Sequence, residues 1–291
     1  MLTNKLGLPQ PFVDAATSKH KYTPRRYSVS DFLGGTCEAI LKRRHHGESE
    51  EDVSDRLWSI LGTAVHSILY NSKESATQMK EVWASRKVET TNGAYDLSGI
   101  FDLYDDDTKT VTDWKTCSVW KACFGDYSDW RKQTLTYCWL LRGMGFEASN
   151  GEIVAMMRDH SKRKAMFDKD YPDHPVKRIT WEFTEDDFSQ LEDDIREWFQ
   201  AVSEQENLSD DELTPCPDSV TWTKPETWAV VRDGNKRASK VLDDPDEAAV
   251  FCENMIEKTG KPHHVEHREA EHTRCELYCP VSRWCVRKKS S

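Results

Sequence analysis

The 291-residue sequence has no apolar run approaching the roughly 20 residues a helix needs to span a bilayer, so no membrane-crossing segment is expected. Its first ten residues, Met1 to Gln10, lack the apolar stretch of a secretory signal, and the cytoplasm is the expected location. Basic excess is absent as well. Lys and Arg number 40 against 51 Asp and Glu, a net charge of −11, which argues against a generic nucleic-acid binder with a basic footprint. Contacts to phosphate would have to come from local runs such as Lys42 to His46 and Arg158 to Lys164, and each run alone reads as solvated surface. Internal repeats and low-complexity tracts are missing too. What remains is a soluble composition, 31% charged and 37% apolar, long enough for one large domain with a small appendage.

Cysteine is the exception to this scarcity. Nine cysteines without a secretion signal point to metal ligation or buried thiols, not to a disulfide framework. Cys275, Cys279 and Cys285 crowd the C-terminus, while Cys117, Cys123 and Cys138 have no chelating neighbours in sequence and read as packing thiols.

Along the chain, residues 1–26 read as an N-terminal arm and 27–206 as the main domain. Residues 207–270 read as a linker and a small ββαβ module, and 271–291 as a cysteine segment packing back on the core. Ser28 or Ser30 is placed to cap a short helix, and a second helix is expected over Glu38–Arg44. An apolar helix runs from near Asp52 to Tyr70, followed by a connecting helix over Ser75–Ser85. A loop is expected over Val119–Tyr127, a helix from Ser128 or Asp129 to Gly143 or Gly145, and strands at Glu152–Met157 and Val176–Phe183. Thr184 then caps a long helix whose Phe188, Leu191, Ile195, Trp198, Phe199 and Val202 recur at helical spacing. In the small module, a hairpin turns at Asp233-Gly-Asn235, and Asp244-Pro-Asp-Glu247 opens a helix that Gly260 closes.

The most chemically loaded stretch is Leu97 to Thr116, which reads as two strands around a polar turn at Asp105 to Asp107. Side chains two apart on a strand share a face, so Asp113 and Lys115 point the same way, and strand pairing can bring Asp102 beside them. Two carboxylates and an ammonium so arranged suit a hard divalent cation and an oriented water. An Asp-x-Lys alone is more often the solvated face of a sheet. Two further features change the balance: Gly62-x-x-x-His66 on the apolar helix upstream, and Gln133 and Tyr137 one helical turn apart downstream.

The ordered set Gly62-x-x-x-His66, Gly99-x-x-Asp102, Asp113-x-Lys115 and Gln133-x-x-x-Tyr137 resembles the RecB-like branch of the PD-(D/E)XK nucleases. The resemblance implies an α/β fold of the restriction-endonuclease type, a mixed central sheet flanked by helices, here with a ββαβ appendage and a cysteine staple. It implies a metal-dependent DNA exonuclease using Mg²⁺ or Mn²⁺. Asp102, Asp113, His66 and the Trp114 carbonyl would be the metal ligands, Lys115 would orient the water, and Gln133 and Tyr137 would brace the site. One cysteine before the motifs and three after them resemble the iron–sulfur branch, which includes CRISPR-associated, AddB-type and phage-type nucleases. That resemblance assigns Cys37, Cys275, Cys279 and Cys285 to a 4Fe–4S cluster. The Cys275-x-x-x-Cys279 spacing is one residue longer than the family often shows, which keeps a four-thiolate zinc site open. Cys216 or Cys252 could replace Cys37. The implied partners are single-stranded DNA or duplex ends, with a recombination annealing protein or a helicase, in a bacterial cell or phage-infected host. The competing reading is a non-catalytic DNA-binding or recombination-partner subunit with a metal-stapled fold.

Overall fold

The computed structural model describes residues 2–17, 21–48 and 50–289. The expected arm over 1–26 therefore includes positions outside the described residues. The chain separates into two units, Met1–Thr214 and Pro215–Ser291.

The first unit is built on a long hairpin. Strand Gln78–Thr90 pairs antiparallel with strand Gly93–Asp105 along its whole length, from Gln78↔Asp105 to Thr90↔Gly93. This corrects the helix expected over Ser75–Ser85. Val82, Trp83, Val88 and Thr90 favour a pleated surface, and the Asn92-Gly93 turn folds them back so that Ala84 and Val88 enter the core. The loop expected over Val119–Tyr127 likewise contains a short helix, Val119–Phe124, whose first turn is capped by the Ser118 hydroxyl accepting the Lys121 N–H.

Among the described residues the sheet has six strands. Thr110–Cys117 lies antiparallel to the end of Gly93–Asp105, Asn150–Met157 runs parallel to Thr110–Cys117, and Val176–Glu182 closes that edge antiparallel. Arg26–Ser28 pairs parallel with Asp96–Ser98 of the central strand. Helices Ser128–Gly143 and Glu185–Gln205 cover one face, where Leu97, Phe101, Val111, Leu140, Ile195 and Phe199 form the main core. Each such side chain contributes about 1.5–3 kcal/mol by leaving water. The Glu185–Gln205 helix starts where expected, at a capping box formed by Thr184 and Asp187, and the Val29–Phe32 helix starts at one formed by Ser28 and Asp31.

Helix Leu57–Tyr70 is different. It is apolar, yet none of its residues is buried within the described structure, and Leu57, Trp58, Leu61, Ile68 and Tyr70 are exposed. The basic run Lys42 to His46 is partly spent on structure: Lys42 pairs with Glu38, while Arg44 and His45 each reach Asp210 at 2.7 Å. Those contacts and the buried Leu213 hold 207–214 in the first unit, where a linker was expected.

The second unit contains the expected ββαβ module. Strands Thr227–Arg232 and Ala238–Leu242 form the hairpin, helix Pro245–Thr259 follows, and His263–Arg268 pairs on the other edge of Thr227–Arg232. Asp244 caps the helix and Gly260 ends it at φ +62°. Residues after 270 belong to this same unit: Glu271–His272 pairs with Thr223–Lys224 and leads into helix Thr273–Leu277.

Gly99 of the Gly-x-x-Asp motif has a steric reason. A Cβ there would lie 2.7 Å from Cε1 of Tyr137 and 2.9 Å from Cγ2 of Val29. The glycine of one motif thus makes room for the tyrosine of another. Gly99→Ala is expected to cost about 1–3 kcal/mol of stability through overpacking, read as a lower midpoint in thermal denaturation; an unchanged midpoint would mean that this contact is not close.

Candidate active site

The site lies where two strands part. Pairing between the Asp102 strand and the Asp113 strand runs through Leu103↔Thr112, Tyr104↔Val111 and Asp105↔Thr110 and stops there. Farther along the same edge, Asp96–Ser98 pair with Arg26–Ser28. Residues 99–102 between them face a gap. The gap leaves the Trp114 amide without a ladder partner from Asp102's strand, and Asp102 Oδ2 accepts its N–H at 2.7 Å. A buried amide must find an acceptor, and here the acceptor is a motif carboxylate.

The other oxygen of Asp102 serves a different element. His66, on helix Leu57–Tyr70, places Nδ1 3.1 Å from Asp102 Oδ1 and 3.8 Å from Glu81 Oε1. Glu81 is a residue that the sequence reading missed, because its segment was expected to be helical. Hairpin register puts it opposite Asp102, between the pairs Lys80↔Leu103 and Val82↔Phe101. Its φ of +52° is left-handed, a conformation costing a non-glycine residue roughly 1–2 kcal/mol. Strain of this kind gathers at functional sites, and here it accompanies a carboxylate grouped with the His66 imidazole and the Asp102 carboxylate. Among the described residues, His66, Glu81 and Asp102 form a group whose ligand atoms all lie within 4.8 Å of one another. The Asn92-Gly93 turn followed by a Gly-x-x-Asp strand was the available signal, since a hairpin there pairs the chain back to Gln78, opposite Asp105.

Asp113 and Lys115 share a face as expected, with Nζ 2.7 Å from Asp113 Oδ2. Asp113 is only 3% exposed and Asp102 7%. Burial pushes the Asp113 carboxyl up to about 6, against the opposing pull of Lys115, and Asp102 adds to the rise. His66 is raised chiefly by its hydrogen bond to Asp102, and Glu81 is raised by burial and then by Asp102. Trp114, whose amide Asp102 accepts, lies between Asp113 and Lys115 in the chain, which brings that pair beside Asp102 and His66. Tyr137 receives a long hydrogen bond from Gln133 Nε2 at 3.4 Å. Its phenol is pushed up by burial and then by Asp113, so it stays an O–H donor beside the carboxylates.

The donor set fits a divalent cation. Asp113 Oδ2 is buried and, despite the nearby ammonium, has no aligned hydrogen bond. Three carboxylates crowded together repel one another unless a cation, a protonated imidazole or carboxyl protons compensate, and oxygen-rich sites with a histidine suit Mg²⁺ or Mn²⁺.

The cysteines divide between the units. Cys37 is buried on the first turn of helix Thr36–Arg44 in the first unit, whereas Cys275, Cys279 and Cys285 belong to the second. Cys117 packs with Ile153 and Met157, and Cys138 sits in the main core with Sγ 3.4 Å from the Asn150 carbonyl.

Carboxylates, a lysine and a histidine gathered at a break in a mixed sheet are the equipment of a phosphodiester hydrolase. The sequence matches the PD-(D/E)XK nuclease superfamily over residues 20–286, and the chain belongs to that superfamily. Its mixed sheet flanked by helices is the restriction-endonuclease-like fold. No curated protein matches it by sequence. Similar solved structures include the crystal structure of SSO0001, 16% identical, with 65% of this chain and 82% of that one covered at a TM-score of 0.47. Another is a phage related exonuclease from Haemophilus somnus 129PT, 10% identical, with coverage of 58% and 92% and a TM-score of 0.26. Among the described residues no helix is long and apolar enough to cross a membrane.

Two outcomes follow for cation binding, both measurable by Mn²⁺ titration. A cation at this site competes with protons on Asp113 and His66, whose values are both raised. Deprotonated Asp113 alone falls about tenfold between pH 8 and pH 5, so apparent affinity should fall by at least that factor; a flat profile contradicts the assignment. Glu81→Gln should weaken Mn²⁺ binding severalfold at pH 8, and unaltered affinity would remove Glu81 from the ligand set.

Proposed function

We propose that this chain is a divalent-cation-dependent DNA exonuclease acting at DNA ends or on single strands. The observation that carries the reading is the Lys115 ammonium 2.7 Å from buried Asp113, in the same site as Asp102 and His66. Asp102, Asp113, His66 and the Trp114 carbonyl hold the cation, with Glu81 added to them. When bound, Mg²⁺ or Mn²⁺ supplies an acidified water and charge stabilisation at the phosphate. Lys115 orients the water and offsets negative charge as the phosphorus becomes crowded. Tyr137, braced by Gln133, donates its O–H toward the phosphate backbone.

Exposed aromatics support unpaired bases as the substrate. Trp120 and Phe124, on the short helix that begins four residues past Lys115, are 67% and 65% exposed. Trp58, on the His66 helix, is 52% exposed with the Arg158 guanidinium 4.1 Å above its ring. Such platforms stack bases at about 1–3 kcal/mol each. Nearby, Tyr127 and Trp130 instead stack on one another and Trp130 is buried. At Gly62 an added Cβ would meet only Thr116 Oγ1, at 3.9 Å, so this part of the His66 helix leaves room for a strand to approach. The reading carries with it a thiolate-held 4Fe–4S cluster, zinc being the alternative, and a cytoplasmic setting with an annealing protein or helicase as partner.

Digestion of end-labelled single- and double-stranded DNA with Mg²⁺ or Mn²⁺ tests it. Wild type should release short products from linear DNA and spare circular single strands, and Asp113→Ala and Lys115→Ala should each lower the rate by roughly 10²–10³-fold or more. Cleavage of circles would overturn the exonuclease assignment. Binding of DNA without any cleavage would favour the non-catalytic subunit.

A further inference from the structure

We infer that Trp58 and Arg158 form an anchor for single-stranded DNA set apart from the cation site, the indole stacking one base and the guanidinium holding a phosphate beside it. The inference rests on the proposed nuclease reading. It adds a contact that fixes how many nucleotides separate the held base from the bond that is cut.

Two elements bring the pair to one place. Trp58, Gly62 and His66 follow one another at intervals of four on helix Leu57–Tyr70, so they line one face of it. That face lies along the Asp113 strand. His66 Nδ1 is 3.1 Å from Asp102 Oδ1, and a Cβ on Gly62 would meet only Thr116 Oγ1, at 3.9 Å. Farther on, Cys117 of the same strand pairs with Met157, and the Arg158 N–H donates to the Cys117 carbonyl at 2.9 Å. The Arg158 guanidinium then lies 4.1 Å from the centre of the Trp58 ring. From His66 back to Trp58 the helix rises about 12 Å, and from Asp113 to Cys117 the strand advances about 13 Å. Both paths set the anchor at the same distance from the carboxylates. Gly62 puts no side chain into that interval, and no residue of the helix is buried within the described structure.

The chemistry of the pair suits one nucleotide. Arg158 is exposed and has no carboxylate partner among the described residues, in a chain whose net charge is −11. Asp159, next to it, is engaged elsewhere, with Oδ1 accepting the Val119 N–H at 2.7 Å. A guanidinium over an indole keeps its N–H donors free, and their planar fork matches phosphate. The indole is 52% exposed and so retains ring surface for a base. Only an unpaired base can stack there, which selects single strands over duplex. The interval of about 12 Å corresponds to roughly three to four stacked nucleotides.

The test measures affinity for a labelled oligothymidylate over a range of salt, using the full chain carrying Asp113→Ala. Adding Trp58→Ala should weaken binding roughly 5- to 100-fold with the salt dependence kept, and Trp58→Phe should restore most of it. Arg158→Ala should lower the slope of log affinity against log salt by about 0.7, the share of one phosphate on a single strand. Arg158→Lys should keep the slope. Unchanged affinity with Trp58→Ala, or an unchanged slope with Arg158→Ala, would overturn the inference. Should Trp58→Ala fail to fold, the Arg158 arm decides. In chains that keep Asp113, wild type should release fragments of about three to four nucleotides and Trp58→Ala a broader spread; identical spreads would overturn the anchor's control of the cut. A wild type that cuts no DNA, with a slope that still depends on Arg158, would count against the exonuclease alone.

Discussion

The carboxylate of Asp102 joins the two halves of the site. One oxygen takes the Trp114 amide where the sheet loses a rung, and the other contacts His66. The first bond places the Asp113 strand at a set distance from the hairpin; the second reaches helix Leu57–Tyr70, none of whose described residues is buried. A strand pair that continued regularly past Leu103↔Thr112 would close the gap, and the carboxylates would have no shared space. The site therefore depends on an interruption in the hydrogen-bond ladder that the Asp102 side chain repairs.

Such a site is costly while its charges are uncompensated. Burial raises the Asp113 and Glu81 carboxyls with Asp102 adding to both, and the Asp102 hydrogen bond raises His66, so negative charge is concentrated here. Protonation relieves part of this. A divalent cation would relieve more, since its two charges would offset several carboxylates at once. The surrounding sheet and the helices Ser128–Gly143 and Glu185–Gln205 supply the stability that lets the strain persist.

Much of this was legible in order along the chain. The strands around Asp102 and Asp113, the caps at Ser28, Thr184 and Asp244, and the Gln133–Tyr137 helix follow from local patterns whose periodicity matches the element they form. The segment 75–85 did not, since Lys, Glu, Ala and Met there are good helix formers while its fate as a strand is decided by Gly93–Asp105 lying alongside. Glu81 was lost with it. The segment 207–214 looked like a linker because its acidity hides a tertiary role, the pairing of Asp210 with Arg44 and His45.

What the sequence determined by itself was the inventory and its spacing: Asp113 and Lys115 must share a face because a strand has a period of two, and Gln133 and Tyr137 because a helix turns in 3.6 residues. Which groups meet across elements was settled only in three dimensions. His66 reaches Asp102, Glu81 faces it, and Gly99 yields space to Tyr137. Those contacts join residues tens of positions apart, and no local rule of backbone geometry reaches that far.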